Sequence, residues 1–120
     1  MLREFENVRQ DPQSYRRLFL SEKYELYVWY EDNSLKLISG FQIVYFEADD
    51  QKAFTWRTDK GSNLMTVDGW DSHRFNKTPI LVADGTANFP FLLSEMEREL
   101  AGVEAEISHL VKRVLGKQIL

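Results

Sequence analysis

The spacing of apolar residues has a period of two over much of Tyr24–Val67 and a helical period beyond residue 90. The densest apolar stretch is Leu26 to Phe46, and it predicts two strands with a polar turn between them. Successive side chains of a strand point to opposite faces. In a first strand over Tyr24–Tyr30, Leu26, Val28 and Tyr30 therefore share one face, and Tyr27 and Trp29 the other. Glu31-Asp32-Asn33-Ser34 supplies residues that hydrogen-bond their own backbone, which predicts a turn. A second strand runs from near Leu35 to Glu47, interrupted at Ser39-Gly40. An isolated glycine in a strand marks a bulge or a close backbone approach. Beyond it Phe41, Ile43 and Tyr45 alternate with Gln42, Val44 and Phe46. After a turn at Asp49-Asp50-Gln51-Lys52, a third strand over Ala53–Arg57 sets Phe54 and Trp56 against Ala53, Thr55 and Arg57. Loop composition at Thr58–Asn63 precedes a short fourth strand at Leu64–Val67. The apolar run Thr78–Ala83 predicts a buried strand, with Pro79 at its start or on an edge.

From Pro90 onward the period is helical. Leu93, Met96, Leu100, Val103, Ile107, Leu110 and Val114 form one apolar stripe. Ser94 with Glu97 matches a capping box, and Pro90 offers an earlier start. Gly102 is costly in a helix interior and predicts a break. A seven-position seam is short for a coiled coil, so the stripe is expected to pack on the sheet. At the N-terminus, the near-helical spacing of Leu2, Phe5 and Val8 and the Asp11-Pro12 pair predict a short helix. An arm anchored by Phe5, Leu18 and Phe19 then leads into the sheet.

These elements predict an α+β fold in a single domain, 1–120. It has an N-terminal arm or short helix over 1–20 and a sheet over 24–83, with one long or two short helices over 90–115. The sheet is expected to be an antiparallel meander of four to five strands with the helical segment packed on one face. The rings of Tyr27, Trp29, Phe54 and Trp56 are expected together as the core beneath that segment. Exposed instead, they would form a platform on which bases stack. With the helical segment over the rings, the side bearing Leu26, Val28 and Tyr30 is left for the N-terminal arm, a second subunit or a ligand.

Composition narrows the function classes. A net charge of −4 argues against a general nucleic-acid binder, although a local basic patch would survive the averaging. The absence of cysteine removes disulfides, thiolate ligands and cysteine nucleophiles. No apolar run reaches the roughly 20 residues of a membrane span, and the charged N-terminus has no signal-peptide core. A cytoplasmic protein without a membrane partner is the expectation.

Leu26-Tyr27-Val28-Trp29-Tyr30, Gly40-Phe41-Gln42, Phe54-Thr55-Trp56, Ser72-His73-Arg74 and Thr78–Gly85 follow one another in an order that resembles a family of small bacterial proteins with no assigned activity. The resemblance spans most of residues 15–90. It implies neither a reaction nor a substrate. Members often carry a second histidine where this chain has Ser72, which weakens a metal reading. They also tend to carry a proline near Ala101-Gly102-Val103, which favours two helices.

One polar constellation stands out: Asp68, Asp71, His73 and Arg74, with Asp84 at the end of a neighbouring strand. In an extended segment Asp71 and His73 share a face, and a carboxylate beside an imidazole can orient it as a general base. His73, Asp71 and Asp84 are thus the catalytic candidates. Arg57 and Arg74, with Trp56, are the candidates for holding an anionic ligand. Two histidines and no cysteine make a three- or four-ligand metal site improbable, and no cofactor is implied. His109 lies opposite the helical stripe and is expected on the surface. The expected function is a non-catalytic binding or assembly module, with a homodimer or a small anionic ligand as its partner. The alternative is a small-molecule-binding protein or enzyme centred on His73.

Overall fold

The computed structural model describes residues 1–6, 15–32, 34–47, 50–68, 80–83 and 88–119. They form one antiparallel sheet in which every strand pairs with its sequence neighbour. The strands are β1 (Arg3–Phe5), β2 (Tyr15–Leu20), β3 (Tyr24–Tyr30), β4 (Ile38–Glu47), β5 (Asp50–Arg57), β6 (Gly61–Asp68) and β7 (Ile80–Ala83). The helices α1 (Phe89–Glu99) and α2 (Ala105–Lys117) follow, joined by a 3-10 turn at Leu100–Gly102.

The expected α+β class and meander order hold, but four to five strands is too few. Six strands have four or more residues, and β1 adds a three-residue edge. The difference lies at the N-terminus. Arg3–Phe5 is paired strand and Tyr15–Leu20 is a full strand, so neither belongs to a helix. Apolar residues at near-helical spacing cannot outweigh the backbone bonds that β2 offers to Arg3–Phe5 and β3 to Tyr15–Leu20. The fourth strand also starts earlier than expected, at Gly61, whose φ of +75° lets the chain reverse directly after Arg57.

The strand alternation is sharp. Tyr24, Leu26, Val28 and Tyr30 are buried while Glu25, Tyr27 and Trp29 are half-buried. Cross-strand register carries that sorting through the sheet: Leu26 faces Ile43, which faces Phe54, and Val28 faces Phe41, which faces Trp56. Leu92, Met96, Leu100, Val103, Ile107, Val111, Val114 and Leu115 pack on this face and complete the core. The helical stripe is therefore where its period placed it, with Leu92, Val111 and Leu115 added and Leu93 and Leu110 at its margin. Asn88 caps α1, its side-chain oxygen accepting from the Phe91 N–H at 3.1 Å, and Pro90 lies in the first turn. The earlier of the two expected helix starts is the one used, and Ser94 is inside the helix.

The break at Gly102 is real, and the chain start packs against it. The Leu2 N–H donates to the Glu99 carbonyl at 2.9 Å, and a Cβ on Gly102 would approach Met1 Sδ to 3.1 Å. Arg17 ties the same region together. Its guanidinium donates to both Glu4 oxygens, at 2.8 and 2.7 Å, and to both Glu104 oxygens, at 2.5 and 3.0 Å. One side chain of β2 thus joins β1 to the start of α2.

Candidate functional site: the open face of the sheet

Register overturns one expectation directly. Tyr27 and Trp29 do not share a surface with Phe54 and Trp56. Tyr27 faces Gln42, which faces Thr55, so Tyr27 lies on the side of Thr55 and Arg57. Phe54 and Trp56 belong with Leu26, Val28 and Tyr30 under the helices. The platform question therefore falls to the two β3 rings alone. Among the described residues no second layer covers their side.

The open face is built in rows. One runs Arg16, Trp29, Gly40, Arg57 across β2 to β5. The next runs Phe5, Leu18, Tyr27, Gln42, Thr55, Asn63 across β1 to β6. A third runs Arg3, Leu20, Glu25, Val44, Ala53, Met65. The Gln42 amide donates to Thr55 Oγ1 at 2.9 Å and stiffens the middle of the second row.

Gly40 decides the shape of the first row. Pairing shifts between Trp29 and Tyr30, which face Gly40 and Ile38 and leave Ser39 as the extra residue of a bulge. A Cβ on Gly40 would lie 2.5 Å from the Trp56 carbonyl oxygen and 3.1 Å from Arg57 Cγ. Both sequence readings of this glycine, bulge and close approach, are correct. With no side chain between them, the Arg57 guanidinium carbon reaches 4.4 Å from the Trp29 ring centroid. Arg16 sits over Tyr27 at 5.7 Å. The two rings are nearly parallel, 11° apart in plane and 6.4 Å between centroids. Both are attractive cation–π arrangements.

The charge on this face differs from that of the chain. Arg3, Arg16 and Arg57 stand against Glu25 alone among the described strand residues of the face, so the remainder is more acidic than the overall −4. Among the described residues Arg57 has no carboxylate partner. Its guanidinium carbon lies over the Trp29 ring.

The other candidates are dispersed. His73, Asp71, Arg74 and Asp84 lie outside the described residues. Asp68 ends β6, its backbone in register with Ile80. Trp56 and Arg57 are neighbours in sequence but face opposite sides of the sheet, so they do not line one site. Trp56 borders a groove of about 470 Å³ beside α2, with Leu110, Arg113 and the exposed His109. A cleft of about 510 Å³ at the opposite end of the sheet is rimmed by the exposed Phe46 and Phe91. The buried Glu95 beneath it accepts from the Tyr24 hydroxyl at 3.2 Å and is ion-paired with Arg98. Burial, followed by the Glu95 charge, holds the Tyr24 phenol well above its ordinary range. That pair explains itself as a satisfied buried acid.

Among the described residues no cluster of three or more histidine or carboxylate side chains could hold a metal, and no helix is long and apolar enough to cross a membrane. Sequence reasoning missed the grouping of Arg16, Tyr27, Trp29 and Arg57. The signal available to it was Gly40, whose missing side chain lets the arginine of a neighbouring strand cross to the tryptophan. No protein-family model, curated protein or solved structure matches the chain.

Proposed function

We propose that the chain is a non-catalytic binding module that engages an anionic partner on the open face of its sheet. The observation that carries this reading is the row of Arg16, Trp29 and Arg57, in which half-buried rings lie beside arginines on the face away from the helices. Aromatic and arginine side chains supply most of the binding energy at protein surfaces. Rows fixed by strand pairing hold such groups without the entropy cost of ordering a loop.

A homodimer through the same face is the weaker form of the reading. Two copies docked face to face would oppose three arginines to three, with one glutamate each to offset them. The cationic face is complementary to carboxylate- or phosphate-bearing partners instead.

The test is a titration of ¹⁵N-labelled protein with two polyanions, a glutamate dodecapeptide and an oligothymidine. Shift changes are expected at the Trp29 indole N–H, Tyr27, Arg16 and Arg57. Changes confined to α1 and α2, or none with either polyanion, contradict the reading.

A further inference from the structure

We infer that the anionic partner of the open face is single-stranded nucleic acid, an identification that rests on the binding-face reading above. The chain-wide charge points away from this class, but binding is governed by the charge along the groove that the phosphates occupy, and the fold sorts its arginines. Arg3, Arg16 and Arg57 lie on the face whose only described acidic strand residue is Glu25.

Of three features that suit a nucleic acid, the first and third favour it over an acidic peptide and the second serves either anion. First, Tyr27 and Trp29 stand side by side on one strand with their rings within 11° of parallel, so both offer the same attitude to successive bases. An acidic peptide gains little from two parallel rings, whereas every base has a face to stack. Second, the Arg57 guanidinium carbon lies over Trp29, 4.4 Å from the ring centroid, which sets a cation suited to a phosphate beside the ring. Third, the next row carries Gln42, Thr55 and Asn63, groups that donate to and accept from base edges and sugar hydroxyls. The rings lie on a central strand between paired neighbours, as in sheets that read single strands. A duplex fits poorly, because its bases are paired and stacked within the helix and cannot reach the two rings.

With two or three arginines engaged, the interaction is weak and salt-dependent. For single strands the logarithm of affinity falls with that of salt at about 0.7 per phosphate neutralised. Raising salt from 25 to 150 mM should weaken binding about 10- to 40-fold.

The experiment is fluorescence anisotropy with labelled dT12, run on the full chain at 25 and 150 mM salt, with the matching hairpin duplex and a labelled glutamate dodecapeptide in parallel. Micromolar binding of dT12 with that salt response is expected, and binding of the duplex should be weaker. Trp29→Ala should weaken dT12 binding about 5- to 150-fold. Arg16→Ala is the second variant, chosen because a partly exposed strand-edge side chain can be removed without unfolding. It should lower the salt slope by about 0.7. Arg113→Ala, in the groove beside α2 on the helix side of the sheet, should change neither. Binding of the glutamate peptide but not dT12 overturns the nucleic-acid assignment while leaving the binding face standing. Binding of dT12 that survives both Trp29→Ala and Arg16→Ala places the strand elsewhere and overturns the proposal. Binding of neither anion overturns the proposal together with the face.

Discussion

The guanidinium of Arg57 reaches Trp29 across an intervening strand, and it does so over Gly40, the residue that pairs with both. The contact depends on an absent side chain. Gly40→Ala would push a Cβ to 2.5 Å from a backbone carbonyl that has no freedom to move away. Overpacking of this kind costs about 1–3 kcal/mol. A urea titration should show the midpoint falling with an unchanged slope, and Arg57 should lose its ring-current shift from Trp29. An unchanged midpoint would mean that the bulge can shift to accept the methyl group.

Arg17 gives a pH-dependent prediction. Its hydrogen bonds hold the Glu4 carboxyl below its ordinary value, against a smaller opposing effect of burial. A carboxyl depressed in the folded state contributes stability that is present above its unfolded value, near 4.5, and lost as pH falls through the folded value. Arg17→Ala should cost about 1–3 kcal/mol at pH 7. The gap between the two proteins should narrow below pH 4.5, which thermal melts across pH 2.5–7 would record. A gap that stays constant over that range would show that Arg17 acts through packing alone.

Tyr24 reports on the other end of the sheet. Its phenol is raised by burial and by Glu95, so the folded protein keeps this proton where an exposed tyrosine has lost it. A group raised in the folded state contributes stability that is fully present below its unfolded value, about 10, and declines as pH climbs beyond it. Ultraviolet titration should therefore find late-ionising tyrosines, with Tyr24 joined by Tyr30, whose phenol burial also raises, and Tyr24→Phe should shrink that step. Ionisation of all five tyrosines near pH 10 in the folded protein would contradict the buried pair.

The two faces of the sheet should respond differently to truncation at adjacent positions. Ile43 is fully buried under the helices, and Ile43→Ala should cost about 2–5 kcal/mol. Gln42 is on the open side, and removing its hydrogen bond to Thr55 should cost about 0.5–1.5 kcal/mol. Equal losses in chemical denaturation would place a second layer over the open face.

Local features of the fold were legible in the sequence wherever period or a special residue fixed them. The β3 alternation, the Gly40 bulge, the helical stripe and the break at Gly102 all depend on neighbours a few residues away. Cross-strand register does not. The loop from Glu31 to Leu37 and the extra residue at Ser39 set which face of β4 matches which face of β3, and neither has a fixed length written in its composition. Pairing Tyr27 and Trp29 with Phe54 and Trp56 was the consequence, one position out of phase, and a one-residue slip moves every side chain to the other face. The first two strands were hidden for a related reason. Tyr15–Leu20 has two adjacent arginines in mid-strand, and only the fold shows that Arg16 goes to the open face while Arg17 reaches Glu4 and Glu104. The candidate site was illegible as a group, because its members come from three strands and meet through register alone.

The most direct measurement is hydroxyl-radical footprinting of the dilute protein, alone and with saturating dT12, with oxidation at each residue read by mass spectrometry. Tyr27 and Trp29 should be oxidised in the free protein while Tyr24 and Tyr30 are spared, and dT12 should protect the two open-face rings. Rings already protected in the free protein, or left equally reactive when dT12 is bound, would contradict the assignment of this face as the binding surface.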